Sequence, residues 1–352
     1  MKKTLIALTL AALPVAASAD VILYGQVKGG IEVDFYDKMG GEKSKDTTTA
    51  IVDYGSRIGF KGHEHLNGDL KAIWQVEQRV DIAGGRNEDG SIARGFGTRN
   101  SFIGLQSDTI GTVKAGYFST PVDDAVGRLD EWEYSSDYLG LGNYTRGTDA
   151  SKRAVAVSYT TPNMAGFSAT AYVSPSDNNS GKTEGRDSTI YGLGATYENS
   201  GFFADVAGGY VKNGKNNGTL DAANPNIKEK AGYQAVANVG YENEQVLAGI
   251  GYNRAVNVDS KYDVSNEVAA TVAYKVTPSL RLKGSAAHGF KISDHRGNPY
   301  AGDGKYYQGI VGADYALSKR TTVNGQVGFY QEGKGDDKTQ RSLAGVGLKH
   351  KF

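Results

Sequence analysis

Between Ser119 and Ala150 the sequence gathers seven carboxylates, Asp123, Asp124, Asp130, Glu131, Glu133, Asp137 and Asp149, against two arginines, Arg128 and Arg146, a local charge of −5. Nothing in their spacing separates a general acid from a general base, so what such a cluster does best is set a local field. A matching set of cations lies upstream: Arg57 and Lys61 share one face of an alternating segment, and Lys71 and Arg79 share one face of the next. With the turn between them centred near Leu66, antiparallel pairing sets Lys61 opposite Lys71, Arg57 opposite Gln75 and Asp53 opposite Arg79. That makes a basic ladder, to which Lys114, Arg281 and Lys283 are further candidates. An acidic segment facing a basic wall across water orients polar solutes and sets ion preference.

Catalytic chemistry finds less support. His63 and His65 could be two arms of a metal site, but a third ligand is not evident. There is no G-x-S-x-G elbow, no H-E-x-x-H pair and no phosphate-cradling glycine loop. Cysteine is absent, which removes thiol nucleophiles, thiolate metal sites and disulfides together. We therefore expect neither an enzyme nor a cofactor.

The elements that must hold these residues are strands. Val21, Leu23, Gly25, Val27, Ile31, Val33 and Phe35 share one face while Tyr24, Gln26, Lys28, Glu32 and Asp34 share the other. The same two-residue period runs from Ala344 to the last residue, Phe352, so the two ends of the chain are matched to pair. Between them, segments of about ten to fourteen residues alternate with short and long connections. Seven tight turns and eight long connections join sixteen strands. The apolar stripe lies opposite faces carrying Gln26, Lys28, Arg57, Lys61, Arg281, Lys283, Asn324 and Gln326, the inverse of a soluble barrel with an apolar interior. In hydrocarbon a strand-based structure must close on itself to satisfy its backbone, and sixteen strands enclose an aqueous channel. The sequence thus predicts an all-β, transmembrane, 16-stranded antiparallel barrel over residues 20–352, with Tyr24, Tyr197, Tyr210, Tyr241, Tyr274 and Phe352 in its aromatic girdles.

Residues 1–19 read as a cleavable secretory signal: Lys2 and Lys3, an apolar run from Leu5 to Val15, and Ala17-Ser18-Ala19 before Asp20. Without them 37 Lys and Arg face 39 Asp and Glu, a near balance that gives no nucleic-acid footprint. No later apolar run is long enough for a spanning helix. A chain rich in glycine and tyrosine, with 48 and 22 residues respectively, suits strands with thinned faces and interfacial rings.

The anchors Val21-Ile22-Leu23-Tyr24-Gly25, Gly55-Ser56-Arg57-Ile58-Gly59-Phe60-Lys61-Gly62, Ala72-Ile73-Trp74-Gln75-Val76-Glu77, Ser101-Phe102-Ile103-Gly104-Leu105 and Val346-Gly347-Leu348-Lys349-His350-Lys351-Phe352 resemble, in order and spacing, the neisserial, beta-proteobacterial type of Gram-negative general-diffusion porin. The resemblance covers essentially the whole mature chain. It implies a homotrimer in outer-membrane lipid, a long third loop folded into each pore, and a terminal Phe352 read by the outer-membrane assembly machinery. It also implies passive passage of small hydrophilic solutes and ions. Where that family often carries an arginine after the glycine closing the fifth strand, this chain has Gly116-Tyr117-Phe118. A barrel acting mainly as an adhesin through its loops is the competing reading.

Overall fold

The computed structural model describes residues 20–38, 47–84, 96–144, 152–176, 189–212, 231–257, 262–294 and 296–352. The expected signal over 1–19, and Arg146, Asp149 and Ala150 at the end of the acidic segment, lie outside the described residues. The strands are β1 (Asp20–Lys38), β2 (Thr47–Asp53), β3 (Arg57–Asn67), β4 (Leu70–Arg79), β5 (Ser101–Ser107), β6 (Gly111–Ser119), β7 (Arg153–Thr160), β8 (Phe167–Ser174), β9 (Ile190–Asn199), β10 (Phe202–Val211), β11 (Gly232–Glu242), β12 (Val246–Val256), β13 (Val264–Lys275), β14 (Leu280–Ser293), β15 (Tyr306–Ala316), β16 (Thr321–Glu332) and β17 (Thr339–Lys351). A short helix, Pro121–Gly127, follows β6.

Each strand pairs antiparallel with its sequence neighbour, and β1 pairs with β17, so the sheet closes. Seventeen segments form sixteen staves because β2 and β3 share one position: residues 29–35 of β1 pair with β2 and residues 20–26 with β3. The break between them is built locally. Gly55 takes a left-handed φ of +85°, Asp53 accepts from the N–H groups of Gly55 and Ser56 (2.7 and 3.0 Å), and Ser56 Oγ donates to the Lys28 carbonyl (3.0 Å). At the seam, Gly25 and Phe352 exchange both backbone hydrogen bonds (3.2 and 3.1 Å).

The period of two sorts the side chains as expected. Leu23, Val27, Ile103, Leu193, Ile250, Val311 and Val346 are exposed on the outer face, whereas Gln26, Glu32, Asn238, Glu267, Asn324 and Gln326 on the other are buried. The exposed tyrosines among the described residues all lie on β7–β15: Tyr159, Tyr191, Tyr197, Tyr210, Tyr233, Tyr252, Tyr274, Tyr307 and Tyr315. No exposed tyrosine is described on β16, β17 or β1–β5.

The β3–β4 hairpin corrects the register read from sequence. Arg57 stands opposite Arg79, Lys61 opposite Gln75 and His65 opposite Lys71, while Asp53 pairs with Gly29 on β1. The turn lies at Gly68, whose φ of +58° costs a glycine nothing and would strain Leu66. His63 and His65 meet edge to face, with ring centroids 5.5 Å apart.

Candidate functional site

The acidic segment starts with a capped helix. Thr120 Oγ1 accepts from the Asp123 N–H (3.1 Å), and Pro121 fits the first turn, where its missing N–H is no loss. Val122, Ala125 and Val126 bury against Ala207 and Val236 of the wall. Beyond the helix, Leu129, Leu141 and Tyr144 are fully buried, packed with Ala255, Ala269 and Ala287, and Leu139 is fully buried as well. Burying each such side chain is worth roughly 1.5–3 kcal/mol.

The segment's backbone carbonyls are taken by side chains from the polar faces of successive strands. Asn238 on β11 donates to the Ala125 carbonyl (2.7 Å), Asn253 on β12 to that of Tyr144 (3.1 Å) and Thr271 on β13 to that of Leu129 (2.7 Å). Gln308 on β15 donates to Gly140 (2.8 Å), and Gln326 on β16 to Glu133 and Leu139 (2.6 and 3.0 Å). Trp132 Nε1 donates to Ser285 Oγ on β14 (2.9 Å). Glycine makes room for this contact: a Cβ at Gly251 would collide with the Tyr144 hydroxyl, and one at Gly328 with the Tyr138 carbonyl.

Charge completes the attachment. Glu133 carries the Lys28 ammonium on one carboxylate oxygen and the Lys349 ammonium on the other; Lys28 and Lys349 face each other across the β1–β17 seam. Burial alone would raise the Glu133 carboxyl, but the two cations outweigh it and hold it below the usual carboxylate range. Glu131 pairs with Arg281 (2.8 Å), and Lys283 Nζ donates to the Glu131 carbonyl (2.8 Å). Asp130 accepts from the Tyr134 hydroxyl (2.6 Å) and the Leu141 N–H (3.3 Å); burial dominates and pushes it up to about 6. Asp123 is half-buried, and Asp124 and Asp137 are exposed.

The five cations named from sequence stand elsewhere. Arg57 pairs with Glu77 (3.5 Å), which also binds Arg99 (2.6 Å) and accepts from the Tyr24 hydroxyl (3.0 Å). Tyr24 therefore belongs to the polar face and not to the girdle where the sequence set it. Lys61 is exposed, its ammonium 5.4 Å from the Tyr24 ring centroid. Lys71 is half-buried and Arg79 exposed. Lys114 sits 5.0 Å from the rings of both Phe102 and Phe118 and within the field of Asp124. None of the five bonds to Glu131 or Glu133: those cationic partners are Lys28, Lys349, Arg281 and Lys283, of which Arg281 and Lys283 were named as candidates for the wall. Extending the Gly25–Phe352 register by three residues pairs Lys28 with Lys349, so a terminal pairing read from sequence carried the missing signal.

The sequence pattern of Gram-negative porins matches residues 4–336. Major outer membrane protein P.IB of Neisseria sicca is 42% identical over 372 residues, covering 100% of both chains; that of Neisseria meningitidis serogroup B is 40% identical over 362 residues, again covering 100% of both. Among solved structures, an anion-selective porin from Comamonas acidovorans superposes with a TM-score of 0.70 at 19% identity, covering 95% of this chain and 100% of that one. Salmonella typhi OmpF in complex with daunomycin gives 0.69 at 19% identity, over 95% and 98%, and the trimer form of Vibrio cholerae OmpT gives 0.64 at 18%, over 95% and 99%. With a closed 16-stranded barrel and relatives of this identity along its whole length, the chain belongs to the Gram-negative porin family, and it is an outer-membrane channel for the passive diffusion of solutes.

Proposed function

We propose that the acidic segment, folded into the barrel, narrows the channel to a charged constriction for small hydrophilic solutes and ions. One rim of the gap is the segment itself, with Asp123, Asp124, Asp130, Glu131, Glu133 and Asp137. The other is the arc of β3, β4 and β6, with Arg57, Lys61, Lys71, Arg79 and Lys114. The observation that carries this reading is the row of bonds from Asn238, Asn253, Thr271, Gln308 and Gln326 to the segment's carbonyls, all from the faces opposite the exposed apolar stripe. Because Glu131 and Glu133 are already bound to wall cations, the field in the gap favours anions.

The working assembly on this reading is a homotrimer, built after removal of residues 1–19, with Phe352 recognised by the assembly machinery. Interfacial tyrosine marks a wall that meets lipid, so the arc from β16 through β17 to β5, on which no exposed tyrosine is described, is the face turned to the other copies. Single-channel recording of the purified protein under a salt gradient tests the whole: ohmic steps in groups of three and a reversal potential of anionic sign are expected. A silent bilayer or a cationic sign would overturn it.

A further inference from the structure

Away from the pore, the outer face of β12–β15 carries cations at one particular depth. Tyr307 and Tyr315 bracket the apolar face of β15; eight residues at about 3.3 Å each, tilted as barrel strands are, separate them by roughly 20 Å of depth. His288 lies opposite Tyr307, Asn266 opposite Phe290 and Arg254 opposite Asn266. His288 is therefore level with Tyr307, and Asn266 and Arg254 lie two residues nearer the long-connection end, where head groups meet acyl chains.

Arg254 is built into this place. Asn266, only 3% exposed although it stands on the lipid-facing side, accepts from Arg254 Nη1 (2.7 Å) and from the Tyr252 hydroxyl (3.0 Å), and donates to the Phe290 carbonyl (3.3 Å). Next to it β14 carries an extra residue: Val264 to Asn266 spans two positions where their partners, Ser293 and Phe290, span three. Such a bulge re-aims a side chain, and Lys291 within it is exposed, with φ +50°. His288 stacks between Tyr307 (4.6 Å, 17°) and Phe290 (5.7 Å, 23°) with Nδ1 held at 2.8 Å by the Tyr306 carbonyl. Immediately below, a shallow apolar groove of about 690 Å³ is floored by Gly284, Ala286 and Gly309 and walled by Val272, Val311 and Phe329.

We propose that Arg254 and Lys291 bind the phosphate of an anionic lipid in the leaflet on the long-connection side, with the His288 ring packed beside it and one of its acyl chains in the groove beneath. A free anion would need only the cations. The groove continuing from them, on a surface turned to hydrocarbon, selects a molecule with a phosphate above and a chain below. Basic residues near a membrane surface each add attraction for such a head group.

The test is native mass spectrometry of the intact barrel released from neutral detergent, with lipid A diphosphate as the probe and phosphatidylcholine as the comparison. Retained lipid A is expected to fall roughly thirtyfold in R254Q/K291Q, and in G309L, where the groove is filled, while phosphatidylcholine is retained poorly throughout. Unchanged single-channel conductance in both variants shows that the barrel is intact, which separates failure here from failure of the constriction reading. Equal retention by R254Q/K291Q, equal binding of phosphatidylcholine, or displacement of the lipid by millimolar inorganic phosphate would each overturn the proposal.

Discussion

Two arcs of the same wall, both polar, are used in opposite ways. From β11 through β17 to β1 the polar face offers mostly amides, hydroxyls and glycines, with Arg281, Lys283, Lys349 and Lys28 among them held by the segment's own Glu131 and Glu133, and the acidic segment is bonded along it. On β3, β4 and β6 it offers lysines and arginines set against aromatic rings and against Glu77. The contrast teaches that polarity along a barrel strand does not by itself say whether a side chain meets water or protein. A neutral amide can satisfy a loop carbonyl without desolvating a charge, at a net gain of about 1 kcal/mol per bond, so amides make the better mooring. Cations keep their influence only where water or a solute can reach them.

The largest break of this contrast is to delete residues 122–143 and close the gap with a short glycine linker. With one rim of the proposed constriction gone, single-channel conductance is expected to rise severalfold and the reversal potential to move towards zero. Next comes Glu133→Gln, which leaves Lys28 and Lys349 facing each other unbridged. A loss of about 3 kcal/mol in unfolding stability is expected, read by denaturant melts in detergent, with noisier open-channel current.

On the opposite arc, K61Q/K71Q/R79Q should shift the reversal potential towards cations while leaving melting and conductance nearly unchanged. Acidification tests the segment's own charge. Asp130 is held up to about 6 by burial, and desolvation with the neighbouring Asp123 raises Asp124 to about 6 as well, so lowering the pH from 7 to 5 removes negative charge at both and should move selectivity further towards anions, a step that Asp130→Asn reduces and D124N/D130N abolishes. The stability sign follows: a carboxyl raised above its ordinary value of 3.8 opposes folding at neutral pH and ceases to do so as pH falls through that window. Glu133, lowered, keeps its ion pairs there and loses them only in stronger acid.

The smallest effect compares two glycines on one strand. Gly328→Ala, pressing on the Tyr138 carbonyl, should loosen the segment and raise current noise. Gly325→Ala, with open space around it, should leave the trace unchanged.

The barrel itself was legible because burial on one face leaves a period of two in every strand and because the chain ends on a matching pair. The β3–β4 register slipped since a turn can slide along a hairpin until a glycine such as Gly68 fixes it. In the acidic segment the carboxylates can be counted in the sequence, but their partners cannot be read from it. Lys28, Asn253 and Gln326 look the same in sequence whether they face water or an oxygen of the loop, and only the closed ring brings strands far apart in the chain onto one loop. The five cations named from sequence were placed by local alternation, which shows a face but not what lies across from it.

The seam where β1 meets β17 has a consequence for how the molecule is made. Every other strand pairs with a neighbour in sequence, whereas this pairing joins residues more than 300 positions apart, such as Lys28 and Lys349, and its loop-closure entropy is the largest in the sheet. It also sets two like charges side by side, which opposes closure until Glu133 arrives between them. Docking of the acidic segment and the last zipping of the wall are therefore one cooperative event, and a ring that has not yet received its segment is a ring whose ends still repel.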